Sequence, residues 1–390
     1  MLTTEKIMKI LLATPIYPPE IGGPATYIKE LCERLHDKHE ITVIAYASAQ
    51  APFEGTKLIA IDKQQPLYKR LPAYLFKLIK IAKDFDVVYV QNAMAAGFPV
   101  AIACSLLRVP FVLKFVGDEA WERATQRRLT SKKLEDFLQS PEGDYKIRMM
   151  MRIQGWVLRR ASIVTTPSAY LSEEIIKAYR VPRARAIVNY NASENSEILP
   201  FDAQRVPHQL VTTARLVIWK GIDGIIRAVA LLKKKIPDVM LMVAGDGPEL
   251  ENLKTLANQL GVSENVVFKG NVSRAETWQL RKKSSVYVLN STYEGLPHVV
   301  LTSFAAGIPV VSTDISGTNE AVYHEDTGLL VKPGDDRGLA DAIARLFADR
   351  ALAEKLVQNG TKLLKTKFSW EAHLEKLDEI LKSVAAKPVN

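Results

Sequence analysis

The sequence predicts an α/β protein built from two doubly wound parallel-sheet domains, and three observations carry that expectation. At 390 residues the chain exceeds the roughly 100–200 residues of one typical domain. Short β-branched runs alternate with helix-length segments, the rhythm of βαβ units whose sheet is covered on both faces. The rhythm also runs through twice, with a lapse between the two passages. Composition agrees: 47% hydrophobic and 24% charged residues are globular values that exclude a disordered or collagen-like chain.

In chain order, the first buried strand lies within 7–16. That apolar run resembles a signal segment, but it meets Pro15, Pro18 and Pro19 without a small-residue cleavage site. Further strand-like runs follow at 41–46, 87–90, 111–115, 163–166 and 186–190, then at 210–214, 239–244, 266–268, 286–289 and 309–312. Between the series, 194–208 is rich in Asn, Ser, Pro and Gln and loses periodicity, the mark of a junction. The expected domains are therefore 1–194 and 209–369, with a linker at 195–208 and a C-terminal helix at 370–390 returning to the first domain. After Gly22-Gly23-Pro24, Ile28, Leu31, Cys32 and Leu35 form a core-facing helical stripe, with Pro24 suited to the first turn. Leu374, Leu377, Ile380 and Leu381 form another behind Ser369, a candidate N-cap. The apolar stretch 93–107 is 15 residues long and contains Gly97 and Pro99, short of the roughly 18 needed for a spanning helix.

Two cysteines, Cys32 and Cys104, exclude a disulfide framework or a cysteine zinc site and fit a reducing, cytoplasmic setting. The net charge of +9 is concentrated in residues 1–205, which hold 29 Lys and Arg against 22 Asp and Glu. Such a bias suits nucleic acid, anionic lipid or a phosphorylated substrate alike, so the motifs must choose.

In doubly wound folds ligands bind where strand carboxyl ends meet helix starts, and four loops stand out there. Gly22-Gly23 before a helix offers free amides to an anion, or simply makes a tight turn. Arg215 and Lys220, in the loop after strand 210–214, are placed to neutralise charge on a departing diphosphate; most loop cations are merely solvated. Gly245-Asp246-Gly247 is a Gly-x-Gly turn without a third glycine, where a base or ribose can pack. The longest motif runs from Tyr293 through Glu294-Gly295-Leu296-Pro297-His298-Val299 to Thr302 and Gly307-Ile308-Pro309. Glu294 can grip sugar hydroxyls there, and the amides near His298 and Val299 can hold phosphate. Asp84-x-Asp86 has a metal-binding spacing, but it precedes a buried strand and so marks an amino end. His36 and His39 read as surface residues at a helix end. No metalloprotease, nucleophile-elbow or P-loop motif occurs.

Together these strings resemble the retaining, nucleotide-sugar-dependent glycosyltransferases of family four, glycosyl transferases group 1. The resemblance extends from Pro18-Pro19 to Phe368-Ser369-Trp370 and includes Gly317-Thr318-Asn319-Glu320 and Gly328-Leu329-Leu330-Val331. It implies the GT-B fold, two Rossmann-like domains facing across a cleft, with the acceptor side in the first and the nucleotide sugar in the second. It further implies that Arg215 and Lys220 contact the donor diphosphate, that Gly22 and Gly23 face it, and that Glu294 contacts the transferred sugar. The amides of His298 and Val299 would meet phosphate, and the segment holding Lys269, Gly270 and Val272 would read the base. The resemblance implies a nucleoside-diphosphate sugar as donor with no metal or other cofactor required, and no nucleic acid partner is expected.

Two departures stand out. Thr302 occupies the position of a second glutamate that holds ribose hydroxyls in relatives, and a hydroxyl cannot make a carboxylate's charge-assisted pair. Val116 stands where many members carry histidine, so Asp118 or Glu119 is expected to contact sugar or acceptor, with Asp118 in a catalytic role. The expected activity is transfer of a hexose-type sugar to a hydroxyl of a glycan or lipid-linked glycan. A weakened nucleotide-sugar-binding protein and a sugar-nucleotide epimerase are the alternatives. The helical stretch 68–83 places Leu71, Leu75, Leu78, Ile79 and Ala82 on one face and Lys69, Arg70, Lys77, Lys80 and Lys83 largely elsewhere; with the basic stretch 145–160 it suits either core packing or peripheral contact with anionic membrane from the cytoplasmic side.

Overall fold

The computed structural model describes residues 7–20, 22–48, 50–193, 197–201 and 205–386. Ile21 of the first glycine loop, residue 194 at the end of the expected first domain, residues 195–196 and 202–204 of the expected linker, and residues 387–390 of the expected final helix lie outside the described residues. The chain forms two compact units. One comprises the chain up to Pro167, Leu171–Asn189 and Glu375 onward; the other comprises Ser168–Tyr170 and Tyr190–Leu374.

The first unit holds seven strands: β1 (Lys9–Thr14), β2 (Glu40–Tyr46), β3 (Thr56–Ile61), β4 (Val87–Gln91), β5 (Phe111–Lys114), β6 (Ile163–Thr166) and β7 (Ala186–Val188). All pair in parallel, in the order β3-β2-β1-β4-β5-β6-β7. The second unit holds β8 (Val206–Thr213), β9 (Met240–Ala244), β10 (Val266–Gly270), β11 (Ser284–Leu289), β12 (Val310–Thr313) and β13 (Leu329–Val331). These are also parallel, in the order β10-β9-β8-β11-β12-β13. Each sheet starts in its middle, runs to one edge and then crosses back. This places a topological switch point between β1 and β4 and another between β8 and β11, where loops diverge and leave room for a ligand.

Central strands such as β4 and β12 are buried along their whole length, as expected for a sheet covered on both faces. Two strands escaped the sequence pattern, and both are edges. β3 is only half-buried, and β13 has three residues, too short for a periodic signal.

Four helices bear on function. Helix Gly23–Leu35 buries Ala25, Ile28, Leu31, Cys32 and Leu35 and carries Pro24 in its first turn. Helix Leu67–Ile81 buries Tyr74 and Leu78, whereas the predicted apolar face at Leu71, Leu75 and Ile79 is only half-buried. Helix His298–Ala305 buries Val300, Leu301, Ser303, Phe304 and Ala305. In helix Trp370–Ala385, Ser369 Oγ accepts from the Ala372 amide at 3.2 Å, as the N-cap expectation requires.

His39 departs from its surface assignment. Its ring is buried, with Nδ1 accepting from the Met8 amide at 3.4 Å and Nε2 lying 2.8 Å from Asp378 Oδ1. The sequence pattern could not show this, because Asp378 lies 339 residues away. Asp86 accepts from the Lys9 amide at 2.7 Å, at the amino end of the first sheet and opposite the ligand edge.

Candidate active site

The loops after β8 and β11 are stitched together at the second unit's switch point. Asn290 Nδ2 donates to the Gly221 carbonyl at 2.9 Å and the Thr292 amide to the Trp219 carbonyl at 2.8 Å. Gly221 has φ 61°, and a Cβ there would sit 2.1 Å from the Asn290 carbonyl oxygen, so only glycine permits this approach. The stitching brings Lys220 to Glu294, 74 positions apart in the chain, with Nζ to Oε1 at 2.6 Å. Ser291 Oγ donates to the same oxygen at 2.7 Å. Both ionic partners are largely buried, where a charge must be paired.

Arg215 is exposed and lines a cavity of about 500 Å³ with Gly245, Asp246, Asn271, Val272 and Thr277 among its walls. The volume suits a small-molecule ligand. Gly245 is required there, because its φ is 134° and a Cβ would meet the Ala214 carbonyl oxygen at 1.9 Å. Lys269 is exposed and, like Gly270, is absent from the cavity wall; the Gly270 carbonyl instead accepts from the Gly245 amide at 2.9 Å.

Gly295 and Pro297 lead into helix His298–Ala305, with Pro297 at its N-cap position. His298 and Val299 form its half-buried first turn, at the positive end of the helix dipole. Two side chains of the motif make contacts within the protein. Leu296, expected among the substrate-binding residues, packs its side chain in the apolar cluster with Val300 and Phe304, which leaves only its backbone for a ligand. The Thr302 hydroxyl donates to the Val299 carbonyl at 3.1 Å.

In the first unit, Gly22 and Gly23 stand at the start of helix Gly23–Leu35; a Cβ on Gly22 would meet Ile16 at 2.7 Å, while Gly23 faces open space. Asp118 is a correction. Its carboxylate is buried, caps helix Glu119–Gln126 through the Trp121 amide at 2.8 Å, and accepts from Gln154 Nε2 at 2.6 Å and from the Tyr179 hydroxyl. A carboxylate so enclosed is a structural anchor and not a contact for sugar. Burial pushes its carboxyl upward against the lowering effect of those bonds. Glu119, named beside it, is half-buried, and Val116 is exposed.

Sequence reasoning reached Asp246 and Asn271 only as members of their loops, and it missed Ser291 and Thr277. It also missed Lys114, although a lone lysine ending the apolar β5 run was a readable signal. Lys114 is buried, and its Nζ lies 4.2 Å from the Tyr27 ring centroid, a cation–π contact. Burial pushes the Glu119 carboxyl up to about 7 and the Lys114 ammonium down to about 7, since each resists its charged form. Between its ordinary 4.5 and about 7, folded Glu119 holds a proton that the unfolded chain lacks, so stability falls as pH rises through that window. Between about 7 and 10.5 folded Lys114 lacks a proton that the unfolded chain holds, so stability recovers as pH rises further. Melting temperatures across pH should therefore show Glu119→Gln gaining on the parent from about pH 5 to 7, and Lys114→Met losing its advantage above about pH 7. Parallel curves would refute both assignments.

Comparison with known proteins places the chain. Residues 201–363 match the model for glycosyl transferases group 1, and residues 21–194 match that for glycosyltransferase family 4. The chain is 31% identical over 402 aligned positions to a GDP-mannose-dependent α-(1-6)-phosphatidylinositol monomannoside mannosyltransferase of Mycobacterium tuberculosis, covering 96% of this chain and 98% of that protein. It is 26% identical to an uncharacterized glycosyltransferase of Methanocaldococcus jannaschii, with 93% and 95% covered. Among solved structures, a sucrose-phosphate synthase of Thermosynechococcus elongatus matches with TM-score 0.76 at 20% identity, covering 97% of this chain and 99% of that one. Anabaena HepE in complex with UDP-glucose matches with TM-score 0.74 at 20% identity, with 96% and 100% covered. With the two Rossmann-like sheets of a GT-B protein, both family models matched and a full-length relative above 30% identity, this chain belongs to the group 1, family 4 glycosyltransferases.

Proposed function

We propose that the protein is a retaining glycosyltransferase that moves a hexose-type sugar from a nucleoside-diphosphate donor to a hydroxyl of a glycan or lipid-linked glycan. The observation that carries this reading is the Lys220–Glu294 pair, 2.6 Å apart, in the same unit as the cavity that Arg215 lines. The base and ribose occupy that cavity, with Gly245, Asn271 and Val272 against them. Arg215, Lys220 and the amides of His298 and Val299 hold the diphosphate, and Glu294 holds the sugar. The bond from the anomeric carbon to the diphosphate oxygen breaks as the acceptor oxygen bonds to that carbon on the same face. The acceptor's proton passes to the departing phosphate oxygen. Fixed cations stabilise the charge that grows there, the role a metal ion fills elsewhere, so the reaction requires no further cofactor.

The names of relatives support the substrate classes. One full-length relative is a GDP-mannose-dependent mannosyltransferase acting on a phosphatidylinositol mannoside. Another, 37% identical over 42% of this chain and 46% of its own length, is the lipopolysaccharide core biosynthesis glycosyltransferase LpsD of Rhizobium meliloti. Incubating the protein with UDP-, GDP- and ADP-sugars and glycan acceptors, read by mass spectrometry, tests the reading: at least one donor should be transferred or slowly hydrolysed. Tight nucleotide binding without either would favour a binding protein, and isomerised sugar without acceptor an epimerase.

The reading extends to a cytoplasmic protein with peripheral contact to an anionic bilayer. Leu67, Tyr68 and Phe76 are exposed on helix Leu67–Ile81 beside exposed Lys69 and Lys80, with Lys83 just beyond its end, an interfacial combination. Among the described residues no helix is long and apolar enough to cross a membrane. The parent chain should sediment with phosphatidylglycerol-containing vesicles but not neutral ones, and a Lys77/Lys80/Lys83→Gln triple variant should lose that binding. Equal sedimentation of both proteins would refute the contact.

A further inference from the structure

The Glu294 carboxylate is held asymmetrically. Oε1 receives both the Lys220 ammonium and the Ser291 hydroxyl, at 2.6 and 2.7 Å, which fills its two acceptor positions. Oε2 makes no hydrogen bond among the described residues and is the oxygen left for a sugar hydroxyl. Of the two donors, Lys220 cannot serve Glu294 alone. In the function proposed above its ammonium is drawn by the donor diphosphate, an anion of greater charge than the carboxylate. Once it turns, a carboxylate held only by Lys220 would be free to rotate about its terminal bond, which is a broad torsion.

We propose that Ser291 is the positioning residue that keeps Glu294 aimed at the donor sugar after Lys220 has engaged the diphosphate; this rests on the function proposed above. Three observations support it. Ser291 is fully buried, so water does not compete for its hydroxyl. Its carbonyl accepts from the Thr313 hydroxyl at the end of β12, which ties it to a strand rather than to a mobile loop. Its hydroxyl is also spent on Oε1, whereas the buried hydroxyls of Ser303 and Thr313 satisfy themselves on backbone carbonyls. A serine needed only to satisfy its own polarity has that cheaper outlet. The neighbouring backbone adds rigidity: a Cβ on Gly317 would lie 1.8 Å from the Glu294 carbonyl oxygen, so the main chain at 294 is clamped and the side-chain torsions are what remains to be set. Pre-organisation of this kind acts on the reacting geometry and not on nucleotide affinity.

The test measures Ser291→Ala, Ser291→Cys, Glu294→Gln and the Ser291→Ala/Glu294→Gln double variant, with the sugar nucleotide that the parent enzyme turns over in the donor screen. UDP or GDP affinity by calorimetry should stay within about twofold of the parent in Ser291→Ala, while kcat falls about tenfold or more, the scale of a lost hydrogen bond to a charged group. Ser291→Cys, with a weak donor in place, should lie between the two. The double variant should be no slower than Glu294→Gln alone, since Ser291 acts only through that carboxylate. A parental kcat in Ser291→Ala, or losses that multiply in the double variant, would overturn the proposal. An unaffected Glu294→Gln would instead remove the role of Glu294, and with it the function on which this inference rests. Unchanged nucleotide affinity and melting temperature in Ser291→Ala separate mispositioning from misfolding.

Discussion

Replacing Arg215 or Lys220 with alanine is expected to lower kcat by about 10²–10³-fold each, the cost of removing one fixed positive group from a developing oxyanion. The two variants should differ in other respects. Arg215 is exposed at the cavity wall, so its loss should leave the melting temperature almost unchanged, as surface substitutions do. Lys220 is largely buried against Glu294, so its loss leaves that carboxylate with Ser291 as its remaining partner and should also destabilise the fold by about 1–3 kcal/mol. Steady-state kinetics with thermal unfolding of both variants reads the two effects together. Parental kcat in either variant would remove that side chain from the reaction.

The largest effect on stability is expected at Arg205. Its Nη1 donates to the carbonyls of Arg281, Lys282 and Ser284 at 2.7, 2.9 and 3.0 Å, and its Nη2 to those of Ala306 and Gly307 at 2.7 and 2.9 Å. These are carbonyls at the carboxyl ends of helices Arg274–Lys283 and His298–Ala305, where the last turn has no intrahelical donors and the helix dipole is negative. One guanidinium therefore caps two helices, the second of which begins at His298 and Val299 in the proposed phosphate site. Arg205→Met roughly preserves volume but leaves buried acceptors without donors, and should cost about 3–5 kcal/mol in urea unfolding. A loss below about 1 kcal/mol would mean that water replaces the guanidinium at little cost.

The fold class, the central strands and the candidate ligand loops were legible in local sequence alone. Buried parallel strands such as β4 and β5 are largely apolar runs, and the glycine at 245 announces a turn that backbone geometry demands; both signals are local. The rest needed the folded chain, because burial and pairing come from residues far apart in sequence. Asp118 and Glu119 are adjacent carboxylates that no local pattern separates, yet Gln154 and Tyr179, 36 and 61 positions away, enclose the first and leave the second half-buried. His39 read as a surface histidine until Asp378 met its ring. The edge strand β3 gave a weak pattern because only part of it is covered. Arg215, Lys220 and Glu294 were readable as residue types on loops at strand carboxyl ends. That Lys220 and Ser291 both hold Oε1 of Glu294 followed only from the sheet order, which sets β8 beside β11 and so brings their carboxyl-end loops together.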